Sequence, residues 1–64
     1  MVPLFAGMLE RDRRRHGYRV CQAAWLLGVT VREYRELESG AGFPRFDTWG
    51  AMCKLYGWPQ RFVA

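Results

Sequence analysis

The stretch AAWLLGVTVREYRELESG, Ala23 to Gly40, constrains the fold more than any other part of this chain, because its punctuation leaves room for two short helices and a tight turn. Ala23, Ala24 and Leu27 share one helical stripe, Gly28 can take the positive φ of a sharp helix exit, and Val29 follows as an apolar plug for the turn. Thr30 is suited to N-cap a second helix. Glu33, three residues later, completes a Thr-x-x-Glu capping box in which each side chain satisfies an otherwise unpaired backbone N–H. Gly40 closes that helix. At about 100° per residue, Tyr34 and Leu37 fall on one side, and Arg32, Arg35, Glu36 and Ser39 on the other. One face is expected to be pinned and the other presented.

The flanks supply the remaining helices. Leu4, Phe5, Met8 and Leu9 suit one face of a first helix from about Leu4 to Arg15, with Asp12 interrupting the stripe. Its end carries Arg11, Arg13, Arg14, Arg15 and His16, cations that the helix dipole favours in a last turn. Tyr18 drops a ring into the core, and the first motif helix spans about Val20 to Leu27. Trp25 and Leu26 stand where that helix should be polar. Trp25 is expected to fold over the first helix and enlarge a small core; the alternative is a surface for self-association or another protein. A fourth helix, about Phe46 to Tyr56, has Phe46, Trp49, Met52, Cys53 and Tyr56 at core spacing.

Sixty-four residues make one domain, 1–64, near the lower limit at which a core suffices without staples. The expected fold class is all-α, a compact bundle of four to five helices. A net charge of +4 and a pI near 9.7 favour an anionic partner such as nucleic acid. Arg outnumbers Lys nine to one. Arg suits bidentate contacts with phosphate or guanine, although coding bias produces the same skew. Cys21 and Cys53, with His16 alone as a further soft ligand, are no zinc set, so no metal and no cofactor are expected. Without a secretory signal or a membrane-length apolar run, the chain reads as cytoplasmic with reduced thiols. One His with no paired nucleophile, and no phosphate-cradling glycine loop, argue against an enzyme and a small-molecule substrate.

The ordered positions Arg13, Gly17-Tyr18, Ala24, Gly28-Val29-Thr30, Leu37-Glu38-Ser39-Gly40 and Pro44 resemble the helix-turn-helix DNA-binding domain of the phage-repressor and Cro-like (XRE) family, without gaps from about Leu9 to Pro59. The resemblance implies a lambda-repressor-like fold with its motif at about 20–39, and a salt bridge between Arg13 and Glu38 that ties the first helix to the end of the recognition helix. Two departures stand out. The family's usual Ser or Thr cap is Arg19 here, and its phosphate-holding Gln is Val20. A fifth helix, the usual dimer contact, would have to form from Trp58 onward, so Trp58 and Phe62 are candidates for a two-fold interface.

Double-stranded DNA is therefore the expected partner, with helix 30–39 in the major groove of a transcriptional regulator, a repressor acting by occupancy. Thr30, Val31, Arg32, Arg35 and Glu36 are the base-reading candidates: Val31 for a thymine methyl, Arg32 for guanine O6 and N7, Arg35 for a base or phosphate. Glu36 either accepts from cytosine N4 or pairs with Arg32, and the intrahelical pair is the expectation. Arg14, Arg19, Ser39 and Arg45 are the phosphate candidates, helped by backbone N–H groups near Gly40 and Gly42. The alternative function is a helix-turn-helix module that binds protein, antitoxin-like or a regulator subunit, through Trp25, Leu26, Trp58 and Phe62. Whether the chain pairs with itself is open at this level.

Overall fold

Four helices follow one another in the computed structural model, which describes residues 4–59: α1 Leu4–Arg15, α2 Val20–Leu27, α3 Val31–Ser39 and α4 Phe46–Tyr56. Phe62 and a fifth helix beyond Pro59 lie outside the described residues. α3 packs against both α1 and α2, and α2 touches α4. Ala23 and Ala24 are buried at this crossing, where side chains of one carbon let the backbones approach. Leu9, Leu27, Tyr34, Leu37, Met52 and Cys53 fill the core around them. No described helix is long and apolar enough to cross a membrane.

The turn between α2 and α3 is built as its residues require. Gly28 has φ +72°; its N–H donates to the Trp25 carbonyl at 3.1 Å, and the Val29 N–H to the Ala24 carbonyl at 3.0 Å. These two bonds are a Schellman closure, and they satisfy carbonyls that the helix end would otherwise leave bare. The start of α2 is capped from its third helical position. Arg19 has no side-chain acceptor, so it cannot cap. Gln22 instead reaches back and accepts the Arg19 N–H at 2.8 Å, which is half of a capping box.

Two expectations about tryptophan are overturned. Trp25 does not fold over α1; it is 80% exposed. The buried stripe of α2 is Ala23, Ala24 and Leu27, with Val20 half-buried beside it, and Trp25 lies about 150° from its centre, too far round the cylinder for its ring to return to the core. Trp58, expected at an interface, is instead buried at 7% exposure. Gly57 turns the chain back, the Trp58 N–H closes on the Cys53 carbonyl at 2.9 Å, and the indole packs beside Trp49 and Tyr56 with centroids 5.9 and 5.5 Å away. Its Nε1–H donates to Asp12 Oδ2 at 2.5 Å, between residues 46 apart in sequence.

That bond also explains Asp12. The residue is 6% exposed, on the inward side of α1, where a lone carboxylate would be costly. Burial pushes its pKa up, but the Trp58 indole and the neighbouring Arg11 and Arg15 outweigh this, and the net direction is down. Cys21 is exposed and Cys53 buried; both are free thiols.

Tyr34 presents the opposite case. Its ring is fully buried, and its pKa is pushed up by burial and by the nearby Glu38 carboxylate and Tyr56 hydroxyl, although its own hydroxyl makes no hydrogen bond of good geometry among the described residues. Tyr34→Phe is accordingly expected to change stability by no more than about 1 kcal/mol, since it keeps the ring and removes a polar atom whose bonds are poorly formed. Urea unfolding of the two proteins checks this. A loss larger than about 1 kcal/mol would mean the hydroxyl is engaged after all.

Candidate nucleic-acid interface

α3 is held from both ends and from one side. At its start the Glu33 N–H donates to Thr30 Oγ1 at 3.0 Å and the Thr30 N–H donates to Glu33 Oε1 at 2.9 Å, the two halves of the expected capping box. The Thr30 backbone and hydroxyl hold the Glu33 pKa below its ordinary value, with a further contribution from the Arg45 charge. Glu33 is therefore a cap, and its carboxylate is only partly available to anything else. At the other end Arg13 Nε and Nη2 donate to Glu38 Oε2 and Oε1 at 2.6 and 3.3 Å, while Arg13 Nη1 donates to the Tyr18 carbonyl at 3.0 Å. Each side chain of the pair is 13% exposed. The hydrogen bonds to Glu38 raise the Arg13 pKa further. One guanidinium thus fastens α1, the α1–α2 turn and the end of α3 together.

The opposite face of α3 is open. Thr30, Arg32, Arg35, Glu36 and Ser39 are exposed, and Val31 is half-buried against the core. Among the described residues, neither Arg32 nor Glu36 has an ion-pair partner, so the expected intrahelical pair is absent. The reason is physical: an Arg placed four residues ahead of a Glu runs against the helix dipole, and an exposed pair gains too little to hold two long side chains in place. Because Glu38 is engaged by Arg13, the exposed face sets Arg32 and Arg35 against Glu33 and Glu36, and is close to neutral.

The phosphate candidates fare unequally. Arg19 and Arg45 are exposed, and among the described residues neither makes an ion pair. Arg14 Nη2 contacts Glu10 Oε2 at 2.9 Å on the surface of α1. Ser39 Oγ donates to the Glu36 carbonyl at 3.0 Å and accepts from the Ala41 N–H at 3.4 Å, so its hydroxyl serves the helix end. The Gly40 N–H is likewise bonded, to the Leu37 carbonyl at 3.3 Å. A hollow of about 100 Å³ lies between α3 and the following loop, lined in part by Glu33, Glu36, Phe43 and Arg45. It is well below the size of a small-molecule site. Among the described residues no three His, Cys, Asp or Glu side chains are grouped for a metal ion.

Two helices at a sharp turn, the second pinned inward and bare outward, are the geometry of a motif that reads a groove. The sequence model of the helix-turn-helix domain family matches residues 4–62. The chain belongs to the helix-turn-helix domain family. No curated protein and no solved structure matches it. Membership in the helix-turn-helix family implies DNA binding, and the all-α fold agrees with it.

Two parts of this helix-turn-helix domain escaped sequence reasoning, the Asp12–Trp58 bond and the Gln22 cap, whereas the outward Trp25 was the second of the two readings its position allowed. The first had a signal: Asp12 stands three residues after buried Leu9, on the inward stripe, in a chain rich in indole N–H donors. The second had one as well, since Gln at the third helical position is half of a capping box even when the cap residue is wrong.

Proposed function

We propose that this chain is a sequence-specific double-stranded-DNA-binding transcriptional regulator, acting in the cytoplasm as a repressor by occupancy, with helix 30–39 in the major groove. The observation that carries the proposal is the free face of α3. Arg32, Arg35 and Glu36 are exposed and, among the described residues, without ion-pair partners, on a helix fixed by Tyr34, Leu37 and the Arg13–Glu38 pair. A rigid helix presenting unengaged hydrogen-bonding side chains can discriminate base edges. Arg32 suits guanine. Glu36, released from Arg32, suits cytosine N4, and Thr30, Val31 and Arg35 complete the reading set. Arg19 and Arg45 hold phosphates, Arg14 joins them by exchanging Glu10 for a phosphate, and Ser39 is the weakest of the four. A near-neutral reading face gives little non-specific affinity, so the salt dependence must come from those flanking arginines.

The test is selection of bound duplexes from a random-sequence pool by the purified chain at near-physiological salt. Enrichment of a motif with half-sites about one helical turn apart would support a dimeric reader, and a single half-site a monomeric one. No enrichment by a folded chain would overturn the proposal. On the selected site, Arg32→Ala is expected to cost about 1–3 kcal/mol and to relax one base position, whereas Arg45→Ala should weaken all sequences alike and lower the salt slope by about 1. Equal losses on selected and random DNA for Arg32→Ala would remove that residue from the reading set.

A further inference from the structure

The small hollow between α3 and the following loop brings a carboxylate and an aromatic ring to one place on the face proposed to meet DNA. Glu36 lines it from α3, exposed and, among the described residues, without an ion-pair partner. Val29, Phe43, Pro44 and Arg45 also line it. The loop runs close to the stem of Glu36 at Gly42, where an added Cβ would lie 4.0 Å from Glu36 Cβ. Phe43 comes next and is 78% exposed, with its ring 6.0 Å from that of Phe5. The other carboxylate of the hollow, Glu33, is held by the Thr30 N–H as the cap of α3, so Glu36 is the one free to accept. About 100 Å³ takes only a few atoms, a water occupying about 30 Å³. The matching occupant is small and carries a hydrogen-bond donor and an apolar group side by side.

Base chemistry identifies it. In the major groove cytosine presents the N4 donor, whereas thymine presents the O4 acceptor and a methyl group on C5. A carboxylate accepts from N4 and is repelled by O4, so Glu36 favours cytosine. An apolar wall favours a methyl group on C5, which cytosine lacks. Only 5-methylcytosine carries both, on adjacent ring carbons. The order of groups agrees as well. C5 lies on the side of N4 nearer to its own strand's backbone, and the hollow lies between Glu36 on α3 and Arg45 at the end of the loop, the residue proposed to hold a phosphate. We propose that Glu36 and Phe43 together make this domain a reader of 5-methylcytosine in duplex DNA, the carboxylate accepting from N4–H and the C5 methyl group seating against the Phe43 ring. The inference rests on the proposed placement of α3 in the major groove.

The test runs the duplex selection on two random-sequence pools, one made with cytosine and one with 5-methylcytosine throughout. Affinity for the selected site is then measured with cytosine, 5-methylcytosine or thymine at each cytosine position in turn, the complement of thymine being changed to adenine. At one position 5-methylcytosine is expected to bind about fourfold tighter than cytosine, the effect of burying one methyl group, and thymine weaker than either. Phe43→Ala should bring 5-methylcytosine and cytosine to equal affinity and keep both ahead of thymine. Glu36→Gln has an amide that donates as well as accepts, so it should keep the methyl preference and narrow the gap between thymine and 5-methylcytosine. Both side chains are exposed, so the variants should keep the fold, which the dispersion of their amide spectra verifies. A selected site at which no cytosine shows a methyl preference, or a preference that Phe43→Ala leaves intact, would overturn this inference and leave the DNA-binding reading standing. Enrichment from neither pool by the folded chain would overturn both.

Discussion

Trp58→Ala should remove about 3–5 kcal/mol of stability, most of what a domain of this size possesses. Two losses combine. The substitution empties a site packed by Trp49 and Tyr56, and it leaves the buried Asp12 carboxylate without its indole donor. Trp58→Phe separates them, because it keeps most of the ring and deletes only the N–H; it should cost about 1–3 kcal/mol. Acid titration of the wild type and the Phe variant supplies a readout specific to Asp12. In the native chain the Asp12 pKa lies below its ordinary value, so its contribution is fully present above the unfolded pKa of about 3.9 and is lost as the pH falls through the folded pKa. Without the indole, one of the interactions that lower the folded pKa is gone, and that pKa rises toward the unfolded value. The variant should therefore lose less stability than the wild type as the pH falls through the acid range, in urea unfolding repeated across that range. Identical acid profiles would show that the bond contributes nothing.

Arg13→Ala should cost about 3 kcal/mol, because Glu38 would be left largely buried and unpaired and the Tyr18 carbonyl would lose its donor. Glu38→Ala should cost a similar amount for the mirror reason. The pair is bidentate, so Arg13→Lys is not a mild change: an ammonium can meet one carboxylate oxygen well but cannot span both and also reach Tyr18. A double-mutant cycle of Arg13→Ala and Glu38→Ala by chemical denaturation should return a coupling of at least about 1 kcal/mol. Coupling near zero would mean that the two charges are stabilised independently by water. In the same experiment, replacing both residues by Leu should recover much of the loss, since a buried ion pair is often matched by well-packed apolar side chains. The pair's value would then lie in placing α3 against α1.

The helices were legible because local chemistry decides them. Thr30 and Glu33 satisfy each other across one turn, Gly28 and Gly40 take left-handed conformations, and Tyr34 and Leu37 repeat at the helical spacing. The Arg13–Glu38 pair, separated by 25 residues, was legible only through family resemblance. What stayed hidden depends on geometry that no window of sequence contains. Asp12 reads as a break in an apolar stripe until Trp58 is placed against it. Trp25 allowed both a folded-over and an outward reading, and its angular position on α2 decides for the outward one. The Arg32–Glu36 pair was expected from spacing alone, and spacing is a weak argument on an exposed surface.

The brevity of α3 has a consequence for how much information one copy can extract from DNA. Nine residues rising 1.5 Å each span about 14 Å, the axial length of about four base pairs. Four fully determined positions amount to about 8 bits, whereas singling out one site among about 10⁶ competitors takes about 20. Under the proposed reading, a single domain would meet its half-site by chance every few hundred base pairs. Genomic selectivity must then be composed from several such readings, and whatever joins them, a second copy or another protein, is as much a part of the recognition code as Arg32 or Glu36.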